Sequence, residues 1–280
     1  ESQGVSDNWW SGLSPLHTLF VREHNAVIAR LKLDHPDKDG AWLFDKARLV
    51  VSALLAKIHT VEWTPALMDS PVGRMAMRGN YWGLMGERSY NAFGRISDSE
   101  VINGIPGSPQ DHHGAPYAMT EEFAAVYRLH PLMPDAYSFR RATDDSLILE
   151  ANLAEVSGSE THELYESMSF DDALYSLCTE HPGALTLHNY PKGLRELTKP
   201  DGRIVDLATI DILRDRERGV PRFKEFRRQI GMKPPQSFAE ITSNKDWQRE
   251  LKEVYGTVGK VDLLVGCLAE SVSERAPPPR

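Results

Sequence analysis

The chain has 280 residues, of which 41% are hydrophobic and 26% charged, and it carries a net charge of −8 at pH 7. Its length suits one large domain or two small ones, and its composition is ordinary for a globular protein. The acidic balance argues against nucleic acid as a partner, because phosphate binding needs a basic field.

Signals for membrane insertion, secretion and disulfide bonding are weak in this sequence. No apolar run approaches the roughly 20 residues of a spanning helix, and ESQGVSDNWW lacks the basic start and apolar stretch of a signal peptide. No convincing amphipathic helix supports peripheral membrane contact. The two cysteines, Cys178 and Cys267, are too few for a disulfide scaffold. The location stays unknown, with the cytoplasm and a membrane surface both open.

Two helices are predicted in the first part of the chain. The first begins near Ser14, which suits an N-cap, with Pro15 at the first helical position. After a turn at HPDKDG, the second runs from about Trp42 to Glu62, with apolar residues at three- and four-residue steps. Residues 69–118 are rich in Gly and Pro and are predicted to be irregular. The adjacent histidines of DHHG (111–114) belong to this loop and lack the partners of a metal site.

The remainder of the chain also reads as helical. Thr120 is expected to cap a helix that carries Tyr127 and His130 and that ends or kinks at Pro131. Residues 141–160 are polar and are predicted to form a loop. Further helices are predicted in SFDDALYSLCTEHPGAL, DLATIDILRDRERGVPRFKEFRRQIG and SFAEITSNKDWQRELKEVYG. Strand signals are weak, so the predicted fold class is all-α (mainly helical), with no repeats and no clear domain boundary.

The stretch EEFAAVYRLHPLMPD presents a tyrosine and a histidine three residues apart. On a helix, this step places Tyr127 and His130 on one face. A neutral imidazole is a good ligand for iron, including haem iron, and a tyrosine on the same face would lie near the edge of the macrocycle. The alternative is a core tyrosine and histidine whose polar atoms are satisfied by the backbone.

Two further groups of polar residues have both a functional and a structural interpretation. His59 and Thr64 could hold a carboxylate through charge-assisted hydrogen bonds, or they could be a helix-end residue and a local cap. Asp211 begins an arginine-rich stretch and could accept the second N–H of a metal-bound histidine. The alternative for this stretch is a solvated face with helix ion pairs.

The segment TEEFAAVYRLHPLMPD resembles the proximal-histidine segment of the haem peroxidase–cyclooxygenase superfamily, and it is most similar to the fatty acid α-dioxygenases. Five other stretches resemble the same family in the same order: PLHTLFVREHNAVIARLK, DKARLVVSALLAKIHTVEWTPALM, SEVINGIPGSPQDHHGAPYAMTEEF, LRDRERGVPRFKEFRRQIGMKP and ELKEVYGTVGKVDLLVGCLAE. Together they extend from about Leu13 to Glu270. The resemblance implies a haem-dependent peroxidase-like fold, an oxidoreductase activity and haem b, with its iron, as cofactor.

The resemblance also implies roles for individual residues. His130 corresponds to the axial ligand of the haem iron, and Tyr127 to the tyrosine whose radical takes hydrogen from the substrate. His59 and Thr64 correspond to the pair that holds the substrate carboxylate. Asp211 falls where peroxidase relatives keep a polar residue, often asparagine, hydrogen-bonded to the proximal histidine. A carboxylate there would make the imidazole a stronger donor.

The reaction that the resemblance implies is oxygenation of a long-chain fatty acid at the α-carbon. A peroxide activator oxidises the haem, the haem oxidises Tyr127, and the tyrosyl radical removes a hydrogen from C2. O2 then adds to the carbon radical and gives a 2-hydroperoxy fatty acid. Holding the carboxylate near Tyr127 would present C2 rather than a mid-chain carbon.

The resemblance finally implies that this chain is the central and proximal part of a larger enzyme. The distal histidine of the family lies upstream of the segment that matches Leu13, and a further basic residue lies beyond the one that matches Glu270. We therefore expect a fold incomplete at both termini, with a lead-in segment (1–12), one partial catalytic domain (13–270) and a disordered tail (271–280). Two alternatives stay open: a haem peroxidase that oxidises small donors without a tyrosyl radical, and a non-catalytic helical fragment.

Overall fold

The computed structural model describes residues 10–67, 70–108, 119–199 and 201–270, and within these ranges the chain is mainly helical, as predicted. The described residues form two compact units. Unit 1 contains residues 10–17, 119–199 and 201–270, and unit 2 contains residues 18–67 and 70–108. The single domain over 13–270 stays a prediction, and the DHHG loop and the tail lie outside the described residues. No helix in the described ranges is both long and apolar enough to cross a membrane.

A long helical segment dominates the start of the chain. The helix α1 (Leu13–Asp34) is followed by α2 (Gly40–Lys57), which Asp39 caps by accepting a hydrogen bond from a backbone N–H of its first turn at 2.8 Å. A π-helical turn (Ile58–Trp63) and α3 (Thr64–Leu67) continue α2 directly. The predicted second helix is therefore confirmed, and it extends as far as Leu67.

Residues 71–103 are largely helical, so the prediction of an irregular segment is wrong for them. Ser70 caps the first of these helices, and Pro71 occupies its first position. Glycines with positive φ end the helices, for example Gly83 at 67° and Gly94 at 69°. These glycines act as helix stops, which explains why a Gly-rich composition was compatible with helical structure. The helices are α4 (Pro71–Trp82), α5 (Gly86–Phe93) and α6 (Glu100–Asn103).

Unit 1 is built from short helices and two small hairpins. After the first residues of α1, the next helix of this unit is α7 (Glu121–Val126), which precedes a 3-10 turn at His130–Leu132. The remaining α-helices are α8 (Glu160–Glu166), α9 (Phe170–Thr179), α10 (Lys192–Arg195), α11 (Leu207–Glu217), α12 (Phe223–Gln229), α13 (Lys245–Tyr255) and α14 (Leu263–Ala269). Two further 3-10 turns lie at Phe238–Glu240 and Val258–Lys260.

The predicted loop at 141–160 contains a strand, so that prediction is wrong in part. Strand β1 (Ala136–Arg140) pairs antiparallel with β2 (Leu147–Asn152), and Tyr137 lies opposite Ala151. Both of these residues are buried. The short alternation of β2 gives little signal on its own, and its cross-strand partners supply the stabilisation. A second, two-residue hairpin pairs β3 (Leu197–Thr198) with β4 (Ile204–Val205).

The main core of unit 1 fixes α7 against the C-terminal helices. The buried side chains of this core are Ala125, Phe223, Ile241, Leu251, Val258, Val261, Leu263 and Ala269. At its edge the buried carboxylate of Asp262 accepts hydrogen bonds from Arg216 at 2.6 and 3.0 Å and from Tyr255 at 2.9 Å. Ala125 is fully buried, so the helix just before Tyr127 has a fixed position within the unit.

Candidate active site

Tyr127 and His130 lie beyond the end of a helix rather than on one helical face. Thr120 caps α7, as predicted, by accepting a hydrogen bond from a first-turn N–H at 3.1 Å. Tyr127 follows the last helical residue with φ −81° and ψ 31°, and His130 opens the 3-10 turn. The prediction of a shared helical face is wrong, because α7 ends at Val126. The chain has therefore left the helix before it reaches His130, where Pro131 disfavours helical geometry.

The Tyr127 side chain is accessible and belongs to an aromatic pair. It is 43% exposed, and its ring stacks on that of Phe123, with centroids 5.0 Å apart and planes at 15°. Phe123 is 48% exposed. The two rings form an apolar surface at the end of α7 that is suited to contact with a planar group or an apolar chain.

The imidazole of His130 has its polar contacts on one nitrogen. Its Nδ1 lies 3.0 Å from the hydroxyl of Tyr190 and 3.5 Å from Oδ2 of Asp211. The rings of His130 and Tyr190 have centroids 5.5 Å apart. The His130 side chain is 28% exposed. With Nδ1 engaged in this way, Nε2 is the nitrogen that can bind a metal ion.

Asp211 is the charged partner of this group, and it is almost completely buried. Asp211 lies in the first turn and a half of α11, and only 2% of the residue is exposed. Its Oδ1 lies 3.3 Å from the guanidinium of Arg128, and its Oδ2 accepts a hydrogen bond from Tyr190 at 3.1 Å. The structure therefore brings Asp211 close to His130, as the resemblance implied, but the hydroxyl of Tyr190 bonds to both of them.

Tyr190 is the member of this group that the sequence analysis did not single out. It lies 60 positions after His130, in a segment that has no helical or strand periodicity. Burial, and then the adjacent charge of Asp211, raises the pKa of Tyr190 well above its ordinary value, so the phenol is protonated at neutral pH. The dipeptide Tyr-Pro at 190–191 was the available sequence signal for this residue. Such a dipeptide is common, and it does not indicate which residue the tyrosine contacts.

The segment that carries Tyr190 is bonded directly to the segment that carries His130. Asn189 donates a side-chain hydrogen bond to the carbonyl of Pro131 at 3.0 Å, and the N–H of Gly183 donates to the carbonyl of Leu132 at 2.9 Å. A Cβ atom at Gly183 would lie only 2.1 Å from the Pro131 carbonyl oxygen. We call residues 183–192 the bracing segment, because it supports the 3-10 turn of His130 from one side.

The helix α11 supports the Tyr127–His130 region at a second point. Arg214 of this helix and Arg218, the residue just after it, each lie 3.2 Å from a different carboxylate oxygen of Glu121, at the start of α7. The structural alternative for the arginine-rich stretch was a solvated face with ion pairs within one helix. These two arginines instead make ion pairs with another helix. One helix therefore contacts both the start of α7 and, through Asp211, the group around His130.

A second carboxylate of α11, Asp215, lies one turn beyond Asp211. The residue is 5% exposed, and its Oδ2 has no hydrogen-bond partner in the part of the chain that the structure describes. Desolvation raises its pKa, Arg128 lowers it, and the charge of Asp211 raises it, and the net change is upward. Asp215 therefore adds an incompletely compensated charge to this helix.

His59 and Thr64 lie in unit 2, where the π-helical turn brings them together. Positions five apart lie about 140° from each other on an α-helix, at about 100° per residue. In the π turn, the N–H of Thr64 instead donates to the carbonyl of His59, and this bond joins the two residues across one turn. The Thr64 hydroxyl donates to the same carbonyl at 2.7 Å, and the His59 ring stacks on Trp63 at 5.2 Å. Their role as a carboxylate-holding pair stays a prediction.

The donor set around His130 suits an iron ion that is held mainly by a cofactor. Within the described ranges, no group of three or more His, Cys, Asp or Glu side chains is placed to hold a metal ion. A single imidazole whose Nδ1 is engaged by a polar partner is the arrangement by which proteins ligate haem iron. The residues present therefore fit haem, whose iron Nε2 of His130 could hold.

Comparison with known proteins agrees with this fit. The sequence model of the family described as animal haem peroxidase matches residues 3–278. The chain is 38% identical to alpha-dioxygenase PIOX of Oryza sativa subsp. japonica and 39% identical to alpha-dioxygenase 1 of Arabidopsis thaliana, over 94% of this chain and 45% and 43% of those proteins. The chain thus spans less than half the length of these relatives.

Solved structures give the same result at the level of the fold. A crystal structure of the Oryza sativa fatty acid alpha-dioxygenase matches with a TM-score of 0.86 at 38% identity, over 95% of this chain and 46% of that one. A variant of that enzyme with palmitic acid matches equally well, with a TM-score of 0.86. Peroxidase A of Dictyostelium discoideum matches with a TM-score of 0.73 at 22% identity, a likeness of fold alone.

Proposed function

The chain belongs to the animal haem peroxidase family, and we propose that it provides the proximal haem ligand and the substrate-carboxylate residues of a fatty acid α-dioxygenase. The single observation that best supports this proposal is the engagement of His130 Nδ1 by Tyr190 and Asp211. This engagement leaves the Nε2 lone pair of His130 available to a metal ion. The similarity to α-dioxygenases, one of which was crystallised with palmitic acid, supports a long-chain fatty acid as substrate.

In the proposed mechanism, Nε2 of His130 would hold the iron of haem b, which, once oxidised by a peroxide activator, would supply an acceptor for one electron. Tyr127 is the proposed source of this electron, and its hydroxyl proton would pass to solvent, because the residue is 43% exposed. The accessibility of its ring and its position at the end of α7 support this role.

The proposed substrate steps use Tyr127 as a hydrogen-atom carrier. Its phenoxyl oxygen takes a hydrogen atom from C2 of the fatty acid, which leaves a carbon radical and restores the phenol. O2 adds to C2, and the peroxyl radical takes the hydrogen atom back from the phenol, so that the 2-hydroperoxy acid forms and the tyrosyl radical returns. His59, when protonated, and Thr64 are the proposed donors to the substrate carboxylate.

A haemin titration of the chain, followed in the Soret region, tests the first part of this proposal. The variant His130→Ala is compared with His162→Ala, which removes an exposed histidine of the same unit whose contact is with Glu166. We expect saturable one-to-one binding by the wild-type chain and by His162→Ala, and its loss in His130→Ala. Equal binding by all three would exclude His130 as the ligand, and no binding by the wild type would reject haem binding by this chain.

Oxygen uptake with palmitate tests the second part. We expect uptake by the haem-loaded chain after addition of a trace of peroxide, and its loss in Tyr127→Phe. The variant Tyr175→Phe, which removes an exposed hydroxyl bonded to Asp145 in the same unit, is the control. If palmitate causes no uptake and both variants oxidise small donors as the wild type does, the chain is a peroxidase that does not use Tyr127.

A further inference from the structure

We propose that Tyr190 is a positioning residue that relays the negative charge of Asp211 to His130 and holds His130 in the Nδ1–H tautomer. The tautomer follows from the hydrogen-bond geometry of this chain alone. Its consequence for the iron rests on the proposed function. The relay is distinct from a direct histidine–carboxylate bond, which was the expectation for Asp211 from the sequence.

The direction of each hydrogen bond in the relay follows from which atoms can donate. Asp211 faces the guanidinium of Arg128 at 3.3 Å, and a carboxylate in this setting can only accept hydrogen bonds. The single phenolic proton of Tyr190 must therefore point to Asp211 Oδ2, 3.1 Å away. The Tyr190 oxygen then presents a lone pair to His130 Nδ1 at 3.0 Å, so Nδ1 must carry the proton.

The opposite arrangement is disfavoured by the same distances. If Tyr190 donated to His130 Nδ1, its oxygen would face a carboxylate oxygen of Asp211 at 3.1 Å with no proton between the two. Two acceptors at this distance repel each other, and the buried carboxylate would lose a partner. The Nδ1–H tautomer therefore satisfies all three residues, and it leaves Nε2 as the nitrogen with a free lone pair.

The phenol of Tyr190 lies on the path between the carboxylate and the imidazole. The separation of His130 Nδ1 and Asp211 Oδ2, 3.5 Å, is longer than a normal N–H···O hydrogen bond of about 2.7–3.2 Å. Both contacts of Tyr190, at 3.0 and 3.1 Å, lie within that range. Asp211 therefore acts on His130 mainly by polarising the phenol that lies between them.

Hydrogen bonds on both sides of Tyr190 make the relay rigid. The backbone N–H of Lys192, two residues after Tyr190, donates to the side chain of Asp135 at 2.5 Å, and Asn189, just before Tyr190, donates to the Pro131 carbonyl. The bracing segment is thus bonded on both sides of Tyr190 to residues that follow His130. The phenol hydroxyl is held beside Nδ1 of His130, as a positioning residue requires.

The tautomer can be measured in the haem-free chain by NMR with 15N-labelled histidine, at about pH 8.5, well above the ordinary histidine pKa. His130→Ala assigns the signals of His130. We expect Nδ1 of the wild type to show the shift of a protonated ring nitrogen and Nε2 that of an unprotonated one. In Tyr190→Phe, the populations should move toward the Nε2–H form that free histidine prefers. A wild-type His130 with its proton on Nε2 would overturn the relay, whether or not the variants fold.

The control variant is Tyr255→Phe, which removes a hydroxyl bonded to the buried carboxylate of Asp262 at 2.9 Å in the same unit. It breaks a tyrosine–aspartate bond of the same kind at a distance from His130 in the chain. We expect the His130 signals to be unchanged in this variant. If Tyr255→Phe and Tyr190→Phe change the tautomer equally, the effect is a general loss of packing, and the relay is rejected.

The reduction potential of the haem-loaded chain provides a second readout. Asp211→Asn should raise the potential in the wild-type background, because the polarised phenol no longer increases the electron density on the imidazole. The same substitution in the Tyr190→Phe background should have a much smaller effect. An equal or larger effect there would show that Asp211 acts directly and would overturn the relay. A chain that binds no haem would reject the proposed function, while the tautomer would still decide the relay.

Discussion

The hydroxyl of Thr64 donates a hydrogen bond to the backbone carbonyl of His59 at 2.7 Å, and the backbone N–H of Thr64 donates to the same oxygen. The carbonyl therefore keeps a partner when the hydroxyl turns away. This redundancy allows Thr64 to donate to a substrate carboxylate without leaving a backbone acceptor unsatisfied. The π turn thus provides a hydroxyl that can be redirected at low cost, as the proposed carboxylate role requires.

Thr64→Val should weaken palmitate binding while it changes stability little. The lost bond to a charged group corresponds to about tenfold weaker binding or more, since such bonds contribute about 1.5–3 kcal/mol. The loss of stability should stay near 1 kcal/mol or below, because the carbonyl keeps its backbone donor. Calorimetric titration with palmitate and urea unfolding measure the two effects.

Two variants control this prediction. Thr64→Ser keeps the hydroxyl and should bind palmitate as the wild type does. Thr60→Val removes a hydroxyl from the same π turn and should also bind palmitate as the wild type does. If Thr64→Val bound palmitate as tightly as the wild type does, Thr64 would not hold the substrate carboxylate. Its role would then be the local hydrogen bond to His59.

Gly183→Ala should disturb the turn that carries His130. The added Cβ would lie 2.1 Å from the carbonyl oxygen of Pro131, so the bracing segment has to move away. Overpacking of this kind typically costs about 1–3 kcal/mol. We expect a lower midpoint of urea unfolding and weaker haemin binding.

The matched substitution is Gly259→Ala, where a Cβ meets no atom within 4 Å. This variant should stay within about 0.5 kcal/mol of the wild type and bind haemin unchanged. If Gly183→Ala behaved in the same way, the close approach of residue 183 to Pro131 would have no structural importance.

Glu121→Gln should cause a small loss of stability that depends on salt. The substitution removes the charge that Arg214 and Arg218 contact, and exposed pairs contribute about 0.2–1 kcal/mol each. Salt screens such pairs, so the difference from the wild type should shrink between low salt and 1 M salt. Thermal unfolding at the two salt concentrations is the measurement.

Glu122→Gln separates the ion pairs from the helix dipole. Glu122 is also in the first turn of α7 and shares the favourable interaction with its positive end. A larger and more salt-dependent loss in Glu121→Gln than in Glu122→Gln is expected. Equal losses would mean that the two arginines contribute nothing measurable.

Asp215→Asn should stabilise the chain at neutral pH. Its raised pKa means that the folded chain binds this proton more tightly than the unfolded chain does. The stabilising contribution of the neutral carboxyl is complete below the unfolded pKa of about 3.9, and it is lost as the pH rises through the folded pKa. The variant removes a partly uncompensated charge among Arg128, Asp211, Arg214 and Glu121.

Thermal unfolding as a function of pH measures this effect. The midpoint of Asp215→Asn should exceed that of the wild type at pH 7, and the difference should fall as the pH approaches the unfolded carboxyl pKa of about 3.9. Asp201→Asn is the opposite case, because hydrogen bonds from Arg203 lower the pKa of Asp201, and we expect no gain there. A lower midpoint for Asp215→Asn at pH 7 would show that its attraction to Arg128 outweighs its desolvation.

The sequence determined the features that depend on neighbours along the chain. Thr120 caps α7, and Gly219 and Pro221 separate α11 from α12, because caps and breakers act over one turn of backbone. The same local reasoning misjudged residues 71–103, where glycines that end helices were taken as marks of an irregular chain.

The tertiary structure decided which residues surround His130. Asp211 lies 81 positions and Tyr190 60 positions after His130, and no periodicity links them. Packing of α7 against the C-terminal helices and hydrogen bonds from the bracing segment bring these three side chains together. Sequence pattern can therefore identify a histidine suited to bind iron, but the partner that fixes its proton depends on contacts between distant segments, which form only when the chain folds.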